Sequence, residues 1–476
     1  MLLWFVIAYL AVSIAIGLIA ATRVHNARDY ITAGRHLPLY VVFATVFATW
    51  FGAETVLGIS ATFVREGLHG LVSDPFGASL CLILFGLFFA RPLYRMNLLT
   101  IGDFYRQRYN RPVELATSIC IALSYLGWVS AQVTALGLVF NFLTQDALSP
   151  AWGMVIGAGI VLVYTLFGGM WSVAVTTFVQ MIVIVLGLLY IAWLVAGMAG
   201  GAGTVITHAA THGKFEFLPR FTLADSVAFI AALITMGFGS IPQQDVFQRM
   251  NASRNEHTAV WGSVLGGSAY FLFAFVPLFL VYAATLIDPA MVGGLIDRDA
   301  QRILPSLIFN HLPLPAQIIF FGALLSVIMS TASGTLLAPS VTISENVLKG
   351  LFRHLSDRHF LWLNRAVVVC FAVLVTLYAV FTNESIHGMV ENAYKVTLVA
   401  AFVPLVAGLY WKRATTQGAA CAIVGGLACW IAFEFAGIDG LWPPQFIGFL
   451  ASVAGMIAGS LLPQRYGVVS SRSRPA

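Results

Sequence analysis

The stretch Leu325-Ser326-Val327-Ile328-Met329-Ser330-Thr331-Ala332-Ser333-Gly334-Thr335 sets five hydroxyls into an otherwise apolar run. Ser330 and Ser333 are three apart and share a helix face, with Thr331 beside it. Two chemistries suit such a cluster. Neutral hydroxyls, joined by the carbonyls of an unwound helix, supply the oxygens that a hard cation such as Na⁺ asks for, with no net buried charge. Alternatively, the hydroxyls bond back to helix carbonyls or join two helices.

Glu54 is the second chemical landmark, because it stands in the apolar run Phe47-Ala48-Thr49-Trp50-Phe51-Gly52-Ala53-Glu54-Thr55. At the centre of a membrane a carboxylate costs at least about 2.5 kcal/mol and usually serves function. The competing role is a hydrogen-bonded structural acid that ties a broken helix to its neighbour. Trp50 and Trp128 lie inside apolar runs, away from the interfacial belts where Trp collects. They either pack the core or form part of an aromatic box for an amine. Asp245 is expected near the cytoplasmic end of its span, within reach of water, and Glu434 near the outer edge as a structural residue. No Ser/His/Asp order, His-Glu-x-x-His pair, Walker loop or enzymatic carboxylate pair is present, so an enzyme is not expected.

These residues need elements to hold them, and composition names the class. Of 476 residues, 59% are hydrophobic and 9% charged. A soluble domain carries about 25% charged residues, so this chain cannot cover a water-facing surface. Thirteen apolar spans are legible, at 2–22, 38–63, 74–92, 113–143, 150–167, 172–198, 224–241, 258–284, 315–348, 362–381, 390–411, 416–436 and 442–462. The expected fold is all-α and polytopic, surrounded by membrane lipid, with no separate soluble domain. The net charge of +5 comes from scattered basic residues and makes no nucleic-acid patch. The five cysteines (Cys81, Cys120, Cys370, Cys421 and Cys429) show no metal or disulfide spacing and read as packing residues.

Orientation follows from the basic residues. With the N-terminus outside, all 25 Lys and Arg except Arg65, Lys214, Arg220, Arg298, Arg302 and Lys395 fall on the cytoplasmic side, nineteen against six. No positive charge precedes the first span, so a cleavable signal peptide is not expected. The C-terminus is then cytoplasmic, and the Ser/Arg-rich tail after Leu462 is expected to be disordered.

Two spans carry breaks. One is the Gly52 and Glu54 region. The other is Gly237-Phe238-Gly239-Ser240-Ile241-Pro242-Gln243-Gln244-Asp245. Pro and Gly free backbone groups that lipid cannot satisfy, so such breaks survive where they line a polar cavity. Their separation by five spans points to two five-helix repeats with a site between them.

The motifs then become recognisable. Phe167-Gly168-Gly169-Met170-Trp171-Ser172-Val173-Ala174-Val175-Thr176-Thr177-Phe178-Val179-Gln180 resembles the signature of the sodium:solute symporter family. Met329 to Ser333, continuing to Ile343-Ser344-Glu345-Asn346, resembles its sodium-binding helix, and Tyr410 to Thr415 its eleventh-helix exit. The resemblance implies an amino-acid-transporter-type inverted five-plus-five helix repeat. Residues 1–22 would be an extra helix, 38–198 and 224–411 the repeats, 416–462 two extra helices and 463–476 the tail. It implies Na⁺-coupled uptake of a small organic solute by alternating access, in a bacterial inner membrane. The implied Na⁺ ligands are the carbonyls of Ala48, Phe51 and Val327 and the hydroxyls of Ser330 and Thr331, with no organic cofactor. Thr177 and Gly334 replace a carboxylate and a hydroxyl that form a second sodium site in some members, so one ion is expected. Within the family the motifs are most like the choline-transporting branch. Trp50 and Trp128 match two of its caging aromatics, Gln243 stands at a third, and Glu54 is instead like the sugar-transporting branch. The implied substrate is a cation or zwitterion (choline, betaine or an amino acid) touching Trp50, Glu54, Trp128 and Gln243. The alternatives are H⁺ coupling through Glu54 and a transporter-like solute sensor.

Overall fold

A computed structural model of the chain describes residues 1–352, 356–382, 384–437 and 442–464. From 465 onward, the Ser/Arg-rich tail lies outside the described residues. The ordered elements are helices, and among the described residues the one β-type pairing is an isolated bridge between Leu37 and Ser253. The principal helices are α1 (Leu2–Ala21), α2 (Leu39–Trp50), α3 (Glu54–Arg95), α4 (Arg111–Leu143), α5 (Pro150–Met198), α6 (Leu223–Gly239), α7 (Gln244–Asn251), α8 (Glu256–Ile287), α9 (Leu314–Leu351), α10 (Asp357–Phe381), α11 (Ile386–Tyr410), α12 (Thr416–Phe435) and α13 (Pro444–Leu461).

By length and composition ten of these cross a membrane, or eleven if the bent pair α6 and α7 is one span. Two are too long to cross once. The 49 residues of α5 rise about 74 Å at about 1.5 Å each, against a hydrocarbon core of about 30 Å. Its turning point is Gly169, at φ 48° and ψ −136°. An L side chain rarely adopts that conformation, and a Cβ there would strike the Tyr30 backbone and ring. The family-signature glycine therefore acts as the corner between two spans. The 42 residues of α3 divide between Gly67 (φ 71°) and the extended Asp74. Its first part continues α2 across a break. Dividing α3 and α5 in this way, and taking α2 with the first part of α3 and α6 with α7 as single spans, gives thirteen segments among the described residues, close to those read from the sequence.

Burial grades from rim to centre. In α1 28% of the apolar window is buried, whereas in α4 the figure is 72%, so α1 faces lipid and α4 the core. From Phe320 to Thr342 every residue of α9 is buried, as expected of a helix surrounded by protein on all sides. The hydroxyl cluster sits in that stretch. The glycines of α8 let α2 approach closely, since a Cβ on Gly262 or Gly266 would press into Val42 or Val46.

The sequence reading needs one correction here. The seventh span does not end near residue 241. It bends by 45° and continues as α7, in which all eight residues are buried. Asp245 is therefore sealed from water, and Arg249, counted among the cytoplasmic loop charges, is buried beside it. The physical reason is internal satisfaction. The Arg249 guanidinium pairs with Asp245 at 3.2 Å and donates to the Thr45 carbonyl at 3.0 Å. The Tyr125 phenol donates to the same carboxylate.

Candidate functional site

The first break starts at Phe51, whose ψ of 73° leaves the helical region. Gly52 N–H bonds to the Trp50 carbonyl at 2.7 Å and not to Ala48, its helical partner. The carbonyls of Ala48 and Phe51 are thereby freed from the helix ladder. Both point to α9, and the Thr331 hydroxyl lies 3.1 Å from the Ala48 oxygen and 3.3 Å from that of Phe51. The hydroxyl of the adjacent Ser330 lies 2.9 Å from the Val327 carbonyl, about one turn earlier on α9. All five residues are fully buried. Thr331 thus brings three neutral oxygens together, while the Ser330 hydroxyl bonds back within α9; neutral oxygens are the chemistry that a hard, singly charged cation accepts. The residues present therefore fit Na⁺.

Around the hydroxyl cluster, α9 is fastened from other helices. The Tyr164 hydroxyl donates to the Met329 carbonyl at 3.1 Å, and Tyr9 of α1 bonds Ser326. The Asn346 amide donates to Asp103 at 3.1 Å and to Glu114 at 3.0 Å. The Ile343–Asn346 motif is thus a clasp between the end of α9 and the start of α4.

On the other side of the first break lie the acid and the aromatics. Glu54 is fully buried. Its oxygens accept from Gln132 Nε2 at 2.6 Å and from Trp128 Nε1 at 3.4 Å. Gln132 also accepts the Ala53 N–H at 3.0 Å, so one amide side chain both closes the break and holds the acid. Trp50 stacks on Trp128 with centroids 4.7 Å apart and planes 15° apart. Tyr125 stacks on Trp128 at 5.8 Å, while Tyr394 sets its edge against Trp50 and Trp128 at 5.3 and 5.6 Å. Indoles this close leave no room for a cation between them, so the aromatic surface left for one in this conformation is the exterior of the stack. Gln243, at the second break, bonds Ser124 at 3.0 Å and Thr397 at 3.4 Å. Ser124 is one turn from Trp128 on α4, so Gln243 reaches the same helix face without touching the stack through any hydrogen bond described.

Sequence reasoning missed Gln132, Asp74, Tyr270, Tyr125 and Tyr394. Gln132 had a signal, since it stands four residues after Trp128 and shares its face. Tyr270 and Tyr394 had none, because a buried Tyr in an apolar run looks like any core aromatic. Trp430 donates to Glu434 at 3.1 Å, a local bond at an exposed edge.

Comparison with known proteins converges on one family. Residues 30–426 match the family model described as "Sodium:solute symporter family". The human "High affinity choline transporter 1" is 29% identical over 450 residues, covering 89% of this chain and 75% of its own. The "High-affinity proline transporter PutP" of Bacillus subtilis (strain 168) is 27% identical, covering 94% and 95%. Among solved structures, a Na⁺-coupled sialic acid symporter in a substrate-bound outward-open state superposes with a TM-score of 0.80 at 18% identity, covering 96% of this chain and 97% of that one. The fold is the inverted-repeat transporter fold that the sequence implied. The chain belongs to the sodium:solute symporter family and is an integral membrane protein that carries out sodium-coupled secondary transport of a small solute.

Proposed function

We propose that one Na⁺ binds where the first break meets α9, held by the carbonyls of Ala48, Phe51 and Val327 and the hydroxyls of Ser330 and Thr331. The observation that carries this reading is the convergence of the freed Ala48 and Phe51 oxygens on Thr331. The same break presents Trp50 and Glu54 on its other side, so the ion and the solute share one flexible joint. Na⁺ that fixes the joint preorganises the solute site, and by linkage the solute raises the affinity for Na⁺ equally. Binding energy at one side then drives alternating access between the repeats at 38–198 and 224–411.

The solute in this reading is a small organic cation or zwitterion, of the chemical kind that choline and proline represent. Glu54 supplies the countercharge, Trp50 and Trp128 the apolar and π faces, and Gln243 a polar contact. An anion is disfavoured beside a buried carboxylate. The distribution of Lys and Arg supports an outside N-terminus and a cytoplasmic C-terminus, and the membrane in this reading is a bacterial inner membrane. One Na⁺ per solute is expected, because a side chain at Gly334 would run into the Arg249 guanidinium and Thr177 brings no charge.

The test is uptake of choline, betaine and proline into proteoliposomes, with a Na⁺ gradient imposed at clamped pH. Accumulation that requires Na⁺, at one charge-coupled ion per solute, is the expected result. Equal accumulation driven by a pH gradient without Na⁺ would transfer the coupling role to Glu54. Binding without any flux would make the protein a sensor.

A further inference from the structure

Asp74 is a second buried carboxylate at this site, and the reading above leaves it unused. It is 2% exposed. Its link to Glu54 runs through the next residue, since the Thr55 hydroxyl lies 3.3 Å from the Tyr270 phenol, and that phenol donates to Asp74 Oδ1. The other oxygen, Oδ2, has no partner, nor does the hydroxyl of the fully buried Tyr394. Asp74 and Tyr394 line the same small cavity, whose rim carries Glu391 and His387, paired with each other at 3.9 Å. The Tyr394 ring, edge-on to the Trp50 and Trp128 stack, therefore spans from the surroundings of Glu54 to the surroundings of Asp74. Asp245, the third buried acid of this region, has Arg249 as its cation. Among the described residues Glu54 and Asp74 have no ion-pair partner.

We propose that Asp74 is a further substrate-binding residue, and that the solute is a dication, a compact diamine whose two ammonium groups are taken by Glu54 and by Asp74 with Tyr394. This rests on the cation reading of the site and narrows it. A buried carboxylate without a cation is expensive, and a monocation would leave one of the two in that state. A zwitterion would add a third anion beside them. A diamine neutralises both, and its methylene chain lies along the Tyr394 ring and the exterior of the indole stack. An ammonium has three donors and no acceptor, which suits the unpartnered Asp74 Oδ2 and Tyr394 Oη. His387 lies on the rim and leaves the interior acids free for the solute.

The experiment is binding of putrescine, cadaverine, ethylenediamine and the monocation butylamine to the purified full chain in Na⁺, read by thermal shift and by competition for uptake. One diamine is expected to bind at least about tenfold more tightly than butylamine. Asp74→Asn is expected to erase that preference, bringing the best diamine to within about twofold of butylamine in the same variant. Equal affinity for butylamine and every diamine in the wild type overturns the dication and leaves the cation reading standing. No binding of any amine in Na⁺ overturns the cation reading itself. An unchanged preference in Asp74→Asn shows that Asp74 takes no amine, which also overturns the proposal. If Asp74→Asn cannot be recovered folded, Asp74→Glu decides the matter. A longer acid is expected to move the optimum to a shorter diamine, and an unmoved optimum counts against it.

Discussion

The two breaks lie in corresponding places of the chain and are built in opposite ways. At Phe51 the chain leaves the helix and its freed carbonyls are met by a hydroxyl of α9. The neighbouring N–H is met by the amide of Gln132. Every partner is neutral, and oxygens are left converging. At Ser240–Gln243 the chain turns on itself, with Gln243 N–H bonding the Ser240 carbonyl at 3.1 Å. The polar helix that follows is paid for by an internal ion pair between Asp245 and Arg249. Among the described residues the first break has no cationic side chain beside it, and the second has Arg249. That difference suggests that sequence symmetry between repeats does not carry chemical symmetry. In the proposed reading the first joint takes the ligands, while the second is held by its own ion pair.

The largest expected effect breaks this contrast at the second joint. Asp245→Ala leaves the Arg249 guanidinium buried without its counterion, and the loss of one member of a buried pair costs about 3–5 kcal/mol. Thermal unfolding of the detergent-solubilised protein should show a large drop in midpoint. Replacing Arg249 with Met in the same chain should recover much of it. A variant that unfolds normally yet loses sodium dependence would reverse the assignment of the two joints.

Thr331→Val is the next in size and acts at the first joint. It keeps the shape and removes the hydroxyl between the Ala48 and Phe51 carbonyls. A contact of this kind contributes about 1–3 kcal/mol, or roughly 5- to 150-fold in affinity. The expected outcome is a rise in the Na⁺ concentration needed for half-maximal uptake, with Ser330→Ala behaving alike. Sodium dependence that survives unaltered in both variants would reduce the hydroxyl cluster to helix glue.

Much of this was legible in the sequence, for reasons that apply to some residues only. Apolar length and the Gly and Pro positions gave the spans and both breaks, because lipid makes unpaired backbone intolerable. The hydroxyls of α9 stood out because polar groups in an apolar run need a reason. The helix α7 did not stand out. Gln244, Asp245, Gln248 and Arg249 read as the start of a cytoplasmic loop, since hydropathy registers cost and cannot register a partner 120 residues away in Tyr125. The surroundings of Glu54 were also only half visible. Its burial could be foreseen, but the Gln132 amide that holds both the acid and the Ala53 N–H is a property of packing between helices.

The smallest expected effect separates the aromatic stack from the sodium oxygens within the first joint itself. Trp50 follows Ala48 by two residues, so its indole and the Ala48 carbonyl leave the same short segment in different directions. Trp50→Leu removes the stack on Trp128 and one π face for a cation, together about 0.5–2 kcal/mol. If the indole serves the solute, KM should rise roughly 2- to 30-fold, while Na⁺ affinity measured without solute stays close to wild type. Trp50→Phe, which keeps a face but loses the indole N–H, should fall between the two. At a fixed, subsaturating solute concentration the apparent Na⁺ affinity should fall as well, because less of the protein carries solute, whereas in saturating solute it should return to the wild-type value. Should Trp50→Leu lower the unfolding midpoint and leave KM where it was, the indole would belong to the packing of α2 against α4. The solute would then be held by Glu54 and its polar neighbours alone.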